Sequence, residues 1–254
     1  MSPRKHKTKH SRRRFSVLYK VCSIVLILAA IVVGSFVFFR VGEVEVLGNV
    51  RYTREEIIAA TEVKLGSNLF GVNKFIVASN LRSKLPYIEE VLPQRRLPDT
   101  LVITIRETVA AACVEGEGEW WVLDAGGKLL ERRDPAPTEG YCVIRGITPL
   151  APAEGTELAA ATEQRATLTA LESLMAALDK EGLLEKTDYI DLTEGYRIVF
   201  GYDGRFTVTI PSSADFSYRM RFFRESLESG RVVEGQKYKA DMTIEGEMRL
   251  IPIN

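Results

Sequence analysis

The segment VCSIVLILAAIVVGSFVFF, residues 21–39, contains no charged side chain. Its 19 residues, at a rise of about 1.5 Å each, form a helix of roughly 28 Å, which is close to the hydrocarbon thickness of a bilayer. The segment therefore predicts a single transmembrane helix. A cleaved signal peptide is the alternative, but its apolar core is shorter and ends at small residues. This segment ends on Phe38 and Phe39 and is followed by Arg40, and these bulky residues favour an uncleaved anchor.

A basic tail, residues 1–20, precedes the apolar segment. It contains eight Lys or Arg side chains and no Asp or Glu. Because Lys and Arg beside a membrane span stay on the cytoplasmic side, the N-terminus is predicted to be cytoplasmic and the C-terminus extracytoplasmic. Binding to anionic lipid explains the tail more simply than binding to nucleic acid, since only Phe15 and Tyr19 are interleaved with its charges.

After residue 39 the chain is acidic. Eight of the 34 basic side chains lie in the tail, which leaves 26 basic against 34 acidic side chains and a net charge of −8. These 215 residues suffice for two modest domains, and the excess of acid argues against a nucleic-acid partner. Cys113 and Cys142 lie here, where a disulfide is chemically allowed, although two buried apolar residues are the simpler interpretation.

Residues 40–108 have the pattern of a small β-α-α-β-β domain, with an alternating strand at each end. Thr53 and Glu56 form a capping box at the start of the first helix, and Asn73 is predicted to cap the second. Pro93 removes a backbone donor from the strand that follows, which predicts an edge position or a bulge.

Residues 109–254 are predicted to form a β-rich domain in which helices pack on an antiparallel sheet. Asp203-Gly204 lies between two alternating segments and predicts a hairpin with a type I′ turn, because Gly accepts a positive φ at low cost. The longest helix outside the membrane is predicted over residues 158–180, and a broken final strand over residues 239–251. The fold class is therefore α+β.

Four motifs, in order after the tail and the apolar segment, carry a resemblance to a known family. They are Val44-x-Val46-x-Gly48-Asn49, Leu65-Gly66-x-Asn68-Leu69-Phe70, Leu85-Pro86-Tyr87-Ile88 and Arg96-Leu97-Pro98-Asp99-Thr100-Leu101-x-Ile103. The chain resembles the FtsQ/DivIB family of bacterial cell-division proteins, in which a membrane anchor, a POTRA domain and a β domain follow one another. The resemblance continues to about Pro252 and includes the final Ala240-Asp241-Met242 strand.

The resemblance implies a non-catalytic divisome scaffold at the division septum, whose partners are membrane proteins like DivIC/FtsB and FtsL. In the family, the end of the β domain recruits partners by lending an exposed strand. Applied to this chain, that implies a partner-binding segment over residues 241–250, of which Met242 stands where the family usually has Leu. The residues expected to contact the partner are Asp241, Met242, Thr243, Ile244, Met248 and Leu250.

No catalytic site, cofactor, metal or small-molecule substrate is expected. Both histidines, His6 and His10, lie in the tail, so neither a Ser-His-Asp nor a Cys-His site can be built beyond the anchor. Zinc without His would need more thiolates than the two cysteines there supply, and no Gly-rich phosphate loop occurs. A POTRA-type chaperone for translocating chains is one alternative function, but it predicts tandem copies or an attached barrel.

A membrane-tethered cell-wall enzyme is the other alternative, and it would use a pair of carboxylates. Glu115, Glu117 and Glu119 alternate in a Gly-containing turn, which favours a solvated loop over an acid–base pair. Trp120 and Trp121 could line a glycan groove, but at least one of them should face the core of a half-buried strand.

Overall fold

A computed structural model describes residues 11–134, 140–229, 232–233 and 235–253. The chain divides into two compact units, of which the first consists of Met1–Asn80 and Val91–Ile105 and the second of Leu81–Glu90 and Arg106–Asn254. The first ten residues of the predicted tail, which include both histidines, lie outside the described residues.

The first helix, α1 (Ser11–Phe38), covers most of the predicted anchor. Its side chains are described over residues 19–34, where the large apolar ones are exposed; Leu26, for example, is 71% exposed. Within the described part of the chain, no helix meets both the length and the hydropathy needed to cross a membrane. The anchor over residues 21–39 stays a prediction.

A three-stranded sheet with two helices follows, and its β-α-α-β-β order agrees with the prediction. The elements are β1 (Glu43–Leu47), α2 (Arg54–Thr61), α3 (Lys74–Lys84), β2 (Ile88–Arg96) and β3 (Thr100–Glu107). The strand order is β1-β3-β2, with β1 parallel to β3. Strand β2 therefore lies at an edge, where Pro93 is tolerated because no ladder bond is required of it there.

Both predicted helix caps are confirmed. The Thr53 side chain accepts from the Glu56 backbone N–H at 3.3 Å, and a Glu56 carboxylate oxygen accepts from the Thr53 backbone N–H at 2.8 Å. Asn73 Oδ1 accepts from the backbone N–H groups of Phe75 and Ile76 at the start of α3. These bonds satisfy donors that a helix start otherwise leaves without partners.

The second unit is built on a nine-stranded sheet covered by two helices. Its strands run in the order β12-β11-β10-β9-β8-β7-β4-β5-β6. The elements are β4 (Ala110–Gly116), β5 (Glu119–Asp124), β6 (Leu129–Arg133), β7 (Cys142–Arg145), α4 (Arg165–Lys180), β8 (Thr187–Asp191), β9 (Arg197–Tyr202), β10 (Phe206–Pro211), α5 (Phe216–Glu228), β11 (Lys237–Asp241) and β12 (Arg249–Ile253).

The prediction of an antiparallel sheet is wrong, because the sheet is mixed. The pairs β4/β7, β7/β8 and β10/β11 are parallel. Parallel neighbours need a crossover connection, and α4 supplies it between β7 and β8, while α5 supplies it between β10 and β11. The predicted start of α4 at Leu158 is also wrong: Leu158 is buried, its N–H donates to the Gly127 carbonyl at 2.8 Å, and the helix begins at Arg165.

One apolar core lies between this sheet and its two helices. At its centre Phe223 of α5 packs edge-to-face on Phe200 of β9, with 5.8 Å between ring centroids. The β9–β10 hairpin is closed by Asp203 and Gly204 with φ of 56° and 61°, which confirms the predicted type I′ turn.

The two cysteines of the second unit are buried and free. Cys142 lies opposite Ala112 on the neighbouring strand and shares its core face, whereas Cys113 lies opposite Val143. Because successive side chains of a strand point to opposite faces, the two thiols are on different sides of the sheet. A disulfide between them is therefore excluded, and the buried apolar interpretation is the correct one.

Candidate functional site: the open edge of the large sheet

The C-terminal residues form a hairpin at one edge of the nine-stranded sheet. The final strand predicted over residues 239–251, with a break at Gly246, is two strands, because the chain reverses between β11 and β12. Gly246 has a φ of 73° in this turn, and the Glu247 N–H donates to the Ile244 carbonyl at 3.4 Å. The reversal places β12 outside β11, so that β12 is the terminal strand of the sheet.

The backbone of β11 determines which groups of β12 point outward. The N–H groups of Tyr238 and Met242 donate to carbonyls on the β10 side, at 2.8 and 2.9 Å. Backbone groups of alternate residues point to opposite sides of a strand. The residues that alternate with them, Lys237, Lys239 and Asp241, therefore direct their backbone groups to β12.

The register between β11 and β12 shows which residues of the edge strand direct their backbone groups toward β11. Lys237, Lys239 and Asp241 lie opposite Ile253, Ile251 and Arg249, respectively. Leu250 and Pro252, the residues in between, consequently point their backbone groups away from the sheet. Since Pro has no N–H, Leu250 supplies the single outward donor among the described residues of β12, and both residues supply outward carbonyls.

The residues expected to bind a partner occupy four different settings in this hairpin. Asp241 ends β11, and Met242 is fully buried beneath the turn. Ile244 is 57% exposed in the turn. Met248 and Leu250 are half-buried and pack against the core.

Asp241 and Thr243 hold the start of the turn together. Asp241 Oδ1 accepts from the Thr243 hydroxyl at 2.7 Å and from the Thr243 N–H at 2.9 Å. These two bonds favour the ionised carboxylate and lower the pKa of Asp241 below its ordinary value of 3.8. The charge of Asp241 thus stabilises the shape of the turn.

Arg219 is a functional residue that the sequence analysis missed. It lies on α5, is buried, and donates through its guanidinium to the carbonyls of Met242 and Ile244, the latter at 2.5 Å. Its positive charge therefore fixes the path of the chain between β11 and β12. A charged residue amid the apolar face of α5, between Phe216 and Met220, was the signal in the sequence.

Ile251 and Ile253 were also outside the predicted segment. They are 48% and 36% exposed and alternate with Leu250 and Pro252 along the edge strand. They lie on the face opposite Leu250, whose side chain packs against the core. The edge thus combines outward backbone groups with an apolar strip.

The residues considered for catalysis lie on the β4–β5 hairpin, where Glu115 pairs with Trp120, so that Glu115 and Glu119 are in strands and only Glu117 is in the predicted turn. Trp121 is buried, as expected for one of the two tryptophans, and Trp120 is half-buried. Glu119 forms an ion pair with Arg132 at 3.1 Å across the β5–β6 hairpin. In the part of the chain that the structure describes, no three His, Cys, Asp or Glu side chains are grouped to hold a metal ion.

Comparison with known proteins identifies the first domain. Residues 39–108 match the family model described as "POTRA domain, FtsQ-type". They therefore form a POTRA domain of the FtsQ type, and the resemblance found in the sequence motifs is confirmed.

The similarity to curated relatives covers more of the chain than the POTRA domain alone. The chain is 33% identical over 110 residues to the cell division protein DivIB of Clostridium tetani, covering 43% of this chain and 41% of that protein. It is 30% identical over 143 residues to the cell division protein FtsQ of Syntrophotalea carbinolica, covering 56% and 47%. It is 31% identical over 169 residues to FtsQ of Geobacter sp., covering 65% and 58%. The chain thus spans about half the length of these relatives.

Proposed function

We propose that this protein, whose residues 39–108 are an FtsQ-type POTRA domain, is a non-catalytic scaffold of the bacterial division machinery. It holds membrane partners of the DivIC/FtsB and FtsL kind together at the septum, outside the cytoplasmic membrane. The printed names of its relatives, cell division proteins FtsQ and DivIB, support the process. The observation that carries the mechanism is the open backbone edge of β12.

The proposal includes a membrane anchor over residues 21–39. Its support is the run of 19 uncharged residues, the eight basic side chains before it, and the helix α1 that covers most of it. The basic tail, residues 1–20, is then cytoplasmic, and the POTRA domain and β domain, residues 40–108 and 109–254, are extracytoplasmic.

The edge of β12 suits the addition of a partner strand. An incoming strand finds the Leu250 N–H and the carbonyls of Leu250 and Pro252 as outward partners, which allows about three main-chain hydrogen bonds. At roughly 0.5–1.5 kcal/mol net for each bond, three bonds contribute about 1.5–4.5 kcal/mol. Ile251 and Ile253 add apolar contact on one face.

Such a contact is weak by itself, and anchoring compensates for this. When both partners are tied to one membrane, association becomes nearly intramolecular, with an effective concentration in the millimolar range for short flexible connections. A weak contact at the β12 edge is then sufficient, because the shared membrane raises the effective concentration of the partner.

The change Leu250→Pro tests the proposal, because it removes the outward donor and leaves the inward bonds of Arg249, Ile251 and Ile253 in place. Pro252 in the same strand shows that the backbone accepts a proline at an outward position. We expect co-purification of the full chain with its membrane partners to fall about tenfold or more, since a partner carbonyl is left without a donor.

The matched control is Pro252→Ala, which adds an outward donor and should preserve or strengthen co-purification. Circular dichroism and thermal unfolding of both variants check that the sheet is intact. Undiminished partner recovery with a folded Leu250→Pro protein would show that the partner does not add to this edge.

A further inference from the structure

One stretch of the POTRA domain differs in charge from the rest of the body. Residues 63–88 contain Lys64, Lys74, Arg82 and Lys84 and no Asp or Glu, although the chain after residue 39 has a net charge of −8. A positive surface of this kind is complementary to anionic lipid headgroups.

The same stretch exposes large apolar side chains. Leu65, Phe70, Phe75 and Ile76 are 68%, 51%, 85% and 56% exposed. Scattered apolar residues on a protein surface need no explanation, but four within twelve positions do. We refer to residues 64–76, which are the segment before α3 together with the first three residues of that helix, as the apolar loop.

Hydrogen bonds join the apolar loop to the residues that follow α1. The Leu69 N–H donates to the Phe39 carbonyl at 2.9 Å. The Val41 N–H donates to the Ser67 carbonyl and the Gly66 N–H to the Val41 carbonyl, both at 2.8 Å. The apolar loop therefore lies directly beside the point where the chain leaves the proposed membrane anchor.

Ring and guanidinium contacts keep the loop in this position. The rings of Phe39 and Phe70 meet edge-to-face, with centroids 5.2 Å apart. Arg95 donates to the carbonyls of Leu69, Phe70 and Val72 and lies 5.8 Å from the Phe70 ring centroid. Because these contacts fix the backbone, docking the loop requires little further ordering.

We propose that the apolar loop of the POTRA domain docks onto the surface of an anionic bilayer, with its apolar side chains at the level of the headgroups and Lys64 and Lys74 against lipid phosphates. Aromatic and basic residues are the side chains favoured at that level. The occupant is lipid, because both the cationic charge and the position next to the anchor match a membrane. The proposal rests on the proposed anchor and gives the POTRA domain a fixed height above the membrane.

The test uses the full chain, with Cys22→Ser, reconstituted into vesicles. Gly71→Cys carries an environment-sensitive fluorophore, since a Cβ at Gly71 meets only ordinary contact, 3.7 Å from Asn68 Cβ. Leu47→Cys is the control position, because Leu47 ends β1 and lies six residues beyond Val41, which is roughly 20 Å of extended chain. Quenching by spin-labelled lipid is measured in phosphatidylglycerol–phosphatidylethanolamine vesicles and in phosphatidylcholine vesicles.

We expect the label at residue 71 to be quenched, the label at residue 47 to stay in water, and quenching to be stronger in the anionic vesicles. Lys64→Gln with Lys74→Gln should lower the ratio of docked to free loop about 25-fold, since each basic residue near an anionic surface contributes about fivefold. Phe75→Ser with Ile76→Ser, both at exposed positions, should abolish quenching.

Flotation of the protein with the vesicles separates the two proposals. A protein that floats with vesicles while the labels at residues 71 and 47 remain equally in water overturns loop docking and leaves the anchor intact. A protein that does not float overturns the anchor and loop docking with it. Quenching that persists in the Phe75→Ser, Ile76→Ser variant also overturns loop docking.

Discussion

At the scale of single residues, Arg219 joins α5 to the turn of the candidate site. Its guanidinium satisfies two carbonyls at the start of the turn between β11 and β12. The partners of Arg219 are difficult to predict from local sequence, because they are backbone atoms more than 20 positions away. The shape of the edge thus depends on a side chain from the crossover helix.

Arg219→Ala should destabilise the C-terminal hairpin by about 2–4 kcal/mol, because two carbonyl groups lose their donor. Hydrogen exchange of the β12 amides and partner co-purification report the effect. Arg219→Lys retains one charged donor and should lose less. Arg221→Ala, an exposed change on the same helix, is the matched control and should stay within about 0.5 kcal/mol of the parent. Equal exchange in the Arg219→Ala and Arg221→Ala proteins would contradict the role given to Arg219.

The pH dependence of the turn follows from Asp241. Hydrogen bonds from Thr243 hold its pKa below the ordinary 3.8, so the turn is stabilised in full above that value. The stabilisation is lost as the pH falls through the lowered pKa. We expect faster amide exchange of Thr243 only below about pH 3.8, and Asp241→Asn, which keeps an acceptor without a charge, should remove this dependence. An unchanged profile in Asp241→Asn would exclude Asp241 as its cause.

Thiol reactivity tests the placement of the two buried cysteines. Burial raises the pKa of Cys113 to about 11 and also raises that of Cys142, so both remain protonated at neutral pH. In native, detergent-solubilised protein we expect neither Cys113 nor Cys142 to react rapidly with maleimide, and all three thiols to react after denaturation without reductant. Mass spectrometry counts the adducts. A single reactive thiol in the denatured, unreduced protein would reveal a disulfide instead.

At the scale of elements, local signals were sufficient wherever the partner lies close in sequence. Thr53 with Glu56, Asn73, and Asp203-Gly204 each form contacts within four positions, and each forms the predicted cap or turn. Pro93 likewise placed its strand at an edge, since it cannot donate within a ladder.

The direction of neighbouring strands in the sheet could not be predicted from local sequence patterns. Alternation along β7, β8, β10 and β11 predicts strands but carries no information about parallel or antiparallel neighbours. The parallel pairs β7/β8 and β10/β11 arise because α4 and α5 return the chain to the same end of the sheet. For the same reason the sequence indicated the C-terminal region but missed its division into two strands, and with it Ile251, Pro252 and Ile253.

At the scale of the whole molecule, charge divides the chain into parts with different surroundings. Eight basic residues precede the uncharged segment, while the remainder is acidic except for the basic stretch at residues 63–88. The function that we propose requires this order: a basic tail, a membrane anchor at residues 21–39, the POTRA domain, and a sheet whose terminal strand is β12.

Site-specific photo-cross-linking in growing cells tests the central claim, that partners add to the β12 edge, most directly. A cross-linking residue placed at Leu250, Ile251 or Ile253 should form an adduct with a small membrane division protein of the DivIC/FtsB or FtsL kind. The same residue placed at Tyr196, which is 71% exposed elsewhere on the second unit, should form none. Adducts that are absent from all three β12 positions, or equally abundant from Tyr196, would contradict the account.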